Sequence, residues 1–263
     1  LAREAVDRGD EVVLSVGGDG TANEVASGIL GSETALGVVP VGSGNGLART
    51  LRIPLDPRRA LDALAHGVVR HMDVGLANGR PFLNVAGAGF DAVIGRDFHD
   101  HGEQGGRRGV LTYTWLSLKR VLRYRAESWR LESTAGGFRG RALLVAFVNG
   151  RQYGGGAILA PRARLDDGRI EVVVFESAPT LEMIWNAPRL FLGTIEGYSR
   201  FRRLSVESAV LTGPPRFLHH RDGEPEGDEE RLEVALRPRA LPILVPRAVA
   251  DDPTGPFRTE RAP

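Results

Sequence analysis

The early part of the chain switches between two hydrophobic patterns. Glu11–Val16 (Glu-Val-Val-Leu-Ser-Val) and Ala35–Val41 are short, Val-rich apolar runs, as buried strands are. Between them Ala22, Val25, Ala26, Ile29 and Leu30 recur at helical spacing, with Gly31 as a stop. Residues 1–8 read as the tail of a helix, Leu47–Leu51 as a short helix broken by Pro54 and Pro57, and Arg58–Ala65 as another with Pro57 in its first turn. Strand, glycine turn and helix, repeated, are the grammar of a parallel α/β sheet.

From Val69–Asp73 onward the pattern changes. Val74–Ala77, Phe82–Ala86, Ser128–Ser133, Arg141–Asn149, Ile170–Glu176, Leu204–Leu211 and Leu232–Leu236 read as strands, interrupted by helices near Val110–Tyr124 and Leu181–Gly193. Consecutive strands without regular crossover helices predict antiparallel pairing and a sandwich. The expected fold is an α/β nucleotide-binding domain with a parallel sheet (1–72, joined by a returning strand within 241–249), a larger, mainly antiparallel β-sandwich second domain (73–240), and a frayed, proline-broken tail (250–263).

Composition narrows the class. The 263 residues are 42% hydrophobic and 25% charged, which excludes a wholly disordered chain and allows one large or two small domains. With no cysteine there is no disulfide, thiolate metal site or cysteine nucleophile. The net charge of +1 argues against a dedicated nucleic-acid binder. No apolar run approaches the roughly 18 residues of a membrane span.

The chemistry concentrates in two glycine loops. Gly17-Gly18-Asp19-Gly20-Thr21 lies between a strand and a helix N-terminus, where free N–H groups and the dipole attract phosphate. A carboxylate there, Asp19, makes sense if Mg²⁺ lies between it and the phosphates; the alternative is a tight βα turn with an incidental Asp. It is neither a Walker motif nor a dinucleotide fingerprint. Gly42-Ser43-Gly44-Asn45-Gly46 follows the next strand, so both loops fall at the carboxyl edge of the sheet and define one cleft. An α/β domain rarely opens on its phosphate loop, so a further βα segment, on the order of 30 residues, is expected ahead of Leu1.

The ordered set of motifs, Gly17–Gly28, Val39–Arg49, Phe82–Asp91, Ala160–Gly168 and Asp222-Gly223-Glu224, resembles the catalytic region of the diacylglycerol kinase superfamily. The five-residue loop alone is shared with NAD kinases. The resemblance implies an ATP- and Mg²⁺-dependent lipid kinase, cytoplasmic and peripheral at the inner membrane face. Its partners would be ATP and a membrane lipid, with a second copy of the chain in a homodimer as a further candidate. By the resemblance, Gly17, Gly18, Asp19, Gly20, Thr21, Ala22 and Asn23, with Ser43 and Asn45 of the second loop, hold ATP. Glu224 is the base for the lipid hydroxyl, and a structural Mg²⁺ sits at Asp167 with main-chain oxygens near Arg164 and Arg169. Chemically, Glu224 can accept a hydroxyl proton, while Asp222 could tune Glu224 or bind metal. Taken alone, Asp222-Gly223-Glu224 is also an exposed hairpin and Asp166-Asp167-Gly168 a hairpin turn. Many bacterial relatives carry Gly-Thr-x-Asn where this chain has Gly42-Ser-Gly-Asn45, which leaves the acceptor open.

Two further features carry weaker signals. His219 and His220 adjoin the proposed base but lack zinc-site spacing. Leu111, Trp115, Leu118 and Leu122 form a helical stripe with Arg120 and Arg123 behind it, readable as a membrane-facing helix and more readily as core. The competing functions are an NAD kinase and a catalytically silent lipid- or nucleotide-binding module.

Overall fold

The computed structural model describes residues 1–103, 124–154 and 156–258. The stripe at Leu111–Leu122 lies outside the described residues. The chain opens with α1 (Ala2–Arg8), β1 (Val12–Gly17), α2 (Asp19–Ile29) and β2 (Ala35–Pro40). Helix α2 buries Ala22, Ala26 and Ile29, one face at helical spacing. Every residue of β2 is buried, as expected of a strand covered on both faces. Next come α3 (Gly46–Thr50) and α4 (Pro57–Ala65); Asp56 caps α4 by accepting from the Arg59 N–H, with Pro57 in the first turn.

The strands that follow are β3 (Val68–Ala77), β4 (Arg80–Phe82) and β5 (Val85–Gly89), then α5 (Phe90–Glu103), β6 (Glu127–Ser133), β7 (Gly136–Val148), β8 (Gln152–Gly154), β9 (Ala157–Ile158) and β10 (Ile170–Glu176). Short helices α6 (Thr180–Asn186) and α7 (Pro188–Leu192) precede β11 (Phe201–Val206), β12 (Ser208–Arg221), β13 (Glu224–Val245) and α8 (Arg247–Ala250).

Eleven of these strands form one sheet. Strands β1 and β2 run parallel, with Val13 opposite Leu36, and β2 meets β13 in parallel only at Leu36–Ile243. Strand β3 joins β13 antiparallel, as do β12 with β13, β5 with β12, and β7 with β5, β6 and β10. A separate, wholly parallel N-terminal sheet therefore does not form. The parallel edge is continuous with a large antiparallel sheet, because β13 reaches β2 with its last residues.

Several expected elements change. Leu232–Leu236 and Leu241–Val245 belong to one strand, β13, with a register shift between Arg237 and Leu241. Leu204–Leu211 splits: β11 pairs with β10, while β12 pairs with β13, β6 and β5. Phe82–Ala86 is interrupted at Leu83 and Asn84, whose N–H groups are taken by the Asp222 side chain. The boundary expected near residue 72 falls inside β3. Residues 250–258 are docked rather than frayed: Phe257 is buried in the α/β core, Leu165 N–H donates to Pro256 O at 2.7 Å, and Arg151 donates to Thr254 O at 2.6 Å. A buried aromatic and paired backbone are enough to hold a short tail.

Candidate active site

The two glycine loops are in contact. A Cβ on Gly42 would fall 2.5 Å from the Gly18 Cα, so the second loop can lie against the first only without a side chain there. Asn45, in the left-handed region at φ 51°, closes its own loop. Its Oδ1 accepts from Gly42 N–H at 3.1 Å, and its Nδ2 donates to Gly42 O at 2.7 Å. Arg49 adds a bond from its Nε to Gly44 O at 3.0 Å. Ser43, between these fixed points, is exposed.

Asp19 does something its sequence position did not suggest. Its Oδ2 accepts from Gly46 N–H at 2.9 Å and its Oδ1 from Leu47 N–H at 3.0 Å, so it caps α3 across space. Burial pushes its carboxyl above the ordinary 3.8, the two backbone bonds oppose that, and the Asp222 charge adds to it. Both oxygens are thus committed to joining the loops. The α3 terminus is spent on Asp19, whereas α2, beginning at Asp19 itself, carries no side-chain cap. Its first-turn N–H groups, at Asp19, Gly20 and Thr21, precede the first intrahelical bond, from Ala22 N–H to Gly18 O at 3.0 Å, and form the kind of terminus that attracts phosphate. Thr21 folds its side chain back against Gly17.

The turn from β12 to β13 brings Asp222 and Glu224 to the same place. Asp222 and Gly223 both have positive φ, 48° and 90°, and Arg221 pairs with Glu224 across the hairpin. Asp222 is buried. Its Oδ1 accepts from Asn84 and Val85 N–H at 2.8 and 3.0 Å, and its Oδ2 from Leu83 N–H at 2.8 Å and Asn23 Nδ2 at 2.7 Å. With four donors it is an anchor, and the expectation that it tunes Glu224 or binds metal gives way to that. Asn23 also donates to Pro81 O at 2.9 Å, so its amide faces the β-rich portion. Glu224 is exposed, and a Cβ on Gly20 would lie 2.8 Å from Glu224 Oε1. The proposed base therefore stands directly over the first turn of α2.

Sequence reasoning missed the layer beneath this turn. His220, buried, has Nε2 at 3.1 Å from Asp91 Oδ2 and 3.3 Å from the Tyr153 hydroxyl, with Gly223 N–H directed at its Nδ1 from 3.4 Å. An accepting Nδ1 leaves the proton on Nε2, aimed at Asp91. His219 points the other way, to Glu226 at 3.2 Å. Strand alternation was the available signal, but the partners come from α5 and β8 and share no local pattern with the histidines.

A carboxylate is available where a nucleotide-borne Mg²⁺ would lie. Mg²⁺ at phosphates needs only one or two protein carboxylates, and Glu224 overhangs the α2 terminus. Among the described residues no group of three or more His, Cys, Asp or Glu side chains could hold a metal ion. At the Asp167 turn the acids are already served by backbone. Asp167 Oδ1 accepts from Arg169 N–H at 3.0 Å, Asp166 from Arg258 N–H, and Asp73 from Gly168 and Arg239 N–H, both at 2.7 Å. Arg164 donates to Phe257 O at 2.9 Å. Burial raises both Asp73 and Asp167 above the ordinary 3.8. Backbone N–H groups thus hold all three carboxylates.

Comparison with known proteins gives the family and the fold. Residues 1–77 match the diacylglycerol kinase catalytic domain, and residues 84–245 the YegS C-terminal NAD kinase beta sandwich-like domain. A probable lipid kinase YegS-like of Pseudomonas aeruginosa (strain UCBPP-PA14) is 33% identical over 250 residues, covering 94% of this chain and 80% of that protein. A diacylglycerol kinase of Bacillus subtilis (strain 168) is 33% identical over 186 residues, covering 70% and 61%. A solved putative diacylglycerol kinase from Bacillus anthracis str. Sterne shares the fold, with a TM-score of 0.75 at 20% identity over 94% of this chain and 82% of that one.

Proposed function

The chain belongs to the diacylglycerol kinase family of lipid kinases, a kinase-like enzyme, and on that premise we propose that it transfers the γ-phosphoryl group of ATP to a hydroxyl of diacylglycerol or a related lipid. The observation that carries this reading is the position of Glu224 over the first turn of α2. The N–H groups of that turn receive the phosphates, and the exposed Ser43 hydroxyl donates to them from the second loop. Mg²⁺, when bound with ATP, supplies charge neutralisation on the phosphates. Glu224 accepts the proton of the attacking lipid hydroxyl. Asp222 and Asn23 position Glu224, and Asp19 with Asn45 holds the two loops in register. The lipid enters between the α/β portion (1–72 with 241–249) and the β-rich portion (73–240).

The test is phosphorylation of a panel of lipids with radiolabelled ATP and Mg²⁺, with NAD as a competing acceptor. Wild type is expected to label a lipid and not NAD, and Glu224→Gln to lose about 10²–10⁴ of the rate. Equal labelling by the variant removes Glu224 as base. Turnover of NAD alone assigns the chain to nucleotide phosphorylation instead.

A further inference from the structure

Helices α6 and α7 contain no buried residue. Between them they present Leu181, Trp185, Phe191 and Leu192 at 82%, 85%, 56% and 73% exposure, with Ile184 beside them. The other described tryptophan, Trp129, is packed in the sheet core at 2%. Single exposed apolar residues need no explanation, but a cluster of this size on two adjacent short helices does.

The charge around the patch identifies what it meets. From Glu176 to Arg203 the chain has four arginines, Arg189, Arg200, Arg202 and Arg203, against three glutamates, Glu176, Glu182 and Glu196. All three glutamates are engaged: Glu176 pairs with Arg202, Glu182 accepts from the Tyr198 hydroxyl at 3.0 Å and pairs with Arg200, and Glu196 pairs with Arg162 and Arg203 at 3.2 and 3.3 Å. That leaves Arg189, on α7 itself, as the arginine outside these pairs. The surface is thus apolar with a net basic surround, complementary to an anionic headgroup layer. An indole and aliphatic side chains beside arginines are the composition of an interfacial anchor.

Its place in the fold links it to the site. Helix α7 packs on β9, and Ile158 of that strand lies under the Gly193 turn. Strand β9 pairs with β8, where Gln152 O accepts from Asn84 Nδ2 at 2.6 Å and the Tyr153 hydroxyl meets His220. Strand β8 in turn packs on α3, behind the second glycine loop. One two-stranded hairpin separates the patch from the cleft.

We propose that the α6–α7 face docks the enzyme on an anionic bilayer, with Trp185, Leu181, Phe191 and Leu192 in the headgroup–acyl boundary and Arg189 at the headgroup phosphates. The proposal rests on the lipid-kinase reading, because a substrate that stays in a bilayer must be reached from its surface. No described helix is long and apolar enough to cross a membrane, so a surface contact is the mode available to these helices.

The test is co-sedimentation of the full chain with vesicles of phosphatidylcholine, with and without phosphatidylglycerol. Wild type is expected to pellet with the anionic vesicles. A combined Leu181→Ser, Trp185→Ser and Leu192→Ser variant, with an unchanged circular dichroism spectrum and melt, should show a bound fraction lower by at least about tenfold. Trp185→Ser alone serves if the triple variant misfolds. Phosphorylation of long-chain lipid in vesicles should fall in parallel, while phosphorylation of a soluble short-chain diacylglycerol is retained. Equal pelleting of wild type and variant overturns the proposal, as does a wild-type dimer that the substitutions split without changing vesicle binding. Patch-dependent pelleting without phosphorylation of any lipid leaves the docking standing and removes the kinase reading.

Discussion

Asn23 and Asp222, 199 positions apart in the chain, are joined by a 2.7 Å bond from Nδ2 to Oδ2. It fastens α2, whose first turn lies under Glu224, to the hairpin that presents Glu224. Because Asp222 also takes the N–H groups of Leu83, Asn84 and Val85, the same carboxylate interrupts the strand between β4 and β5 and fixes the β12–β13 turn upon it.

Asp222→Asn tests that anchor. An amide has one acceptor oxygen in place of two, so at least one backbone donor among Leu83, Asn84 and Val85 loses its partner in a buried site. The expected cost is about 1–3 kcal/mol, read from urea unfolding. Activity should fall with it, since the turn carrying Glu224 loses its fixed point. Asn23→Ala removes one bond and should cost about 1 kcal/mol, and the double variant should show coupling between the two. A variant at Asp222 as stable as wild type removes its role as anchor.

Local patterns carried much of this molecule. The Val-rich run of β2 and the stripe Ala22, Ala26, Ile29 are dictated by burial, so periodicity alone exposes them. Strand β1, expected to be buried, instead leaves Val12, Leu14 and Val16 exposed and buries only Ser15, because it is the edge strand of the described sheet. The glycine loops were legible because glycine is demanded where Gly18 and Gly42 touch. What escaped was whatever depends on partners far along the chain. Asp19 reads as a phosphate-side carboxylate until α3 is seen to end on it. Asp222 reads as half of an acidic pair until its four donors are counted. His220 gives no sign of Asp91 or Tyr153, and the frayed-looking tail gives no sign that Phe257 has a slot in the core.

Gly20→Ala separates the position of Glu224 from the stability of the fold. Gly20 lies within α2, where alanine is intrinsically better by up to about 1 kcal/mol. The added Cβ, however, would meet Glu224 Oε1 at 2.8 Å, and the carboxylate is the mobile member of that contact. The melting temperature is therefore expected to hold or rise. The phosphotransfer rate should fall about 10²-fold, the scale of an ångström's misplacement of a reacting group. Undiminished activity with a normal melt would show that Glu224 need not stand over the loop.

The pair His219–Glu226 predicts how the fold responds to acid. Burial holds His219 below the ordinary 6.5 even though Glu226 and Glu229 favour its charged form, and its Nδ1 is buried with no partner. Burial pushes Glu226 upward, but Arg221, Arg80 and His219 outweigh it and leave the carboxyl below the ordinary 4.5. In both cases the unfolded chain binds the proton more readily than the folded one. The stability each contributes is therefore full above its ordinary value and is lost as pH falls through the folded one. Urea midpoints measured between about pH 4 and pH 8 should decline first below 6.5, through His219, and more steeply below 4.5, through Glu226. His219→Gln should flatten the first decline and leave the second. Glu226→Gln should lower stability at neutral pH, by releasing Arg221, and flatten the second. A first decline that persists unchanged in His219→Gln would assign it to another group.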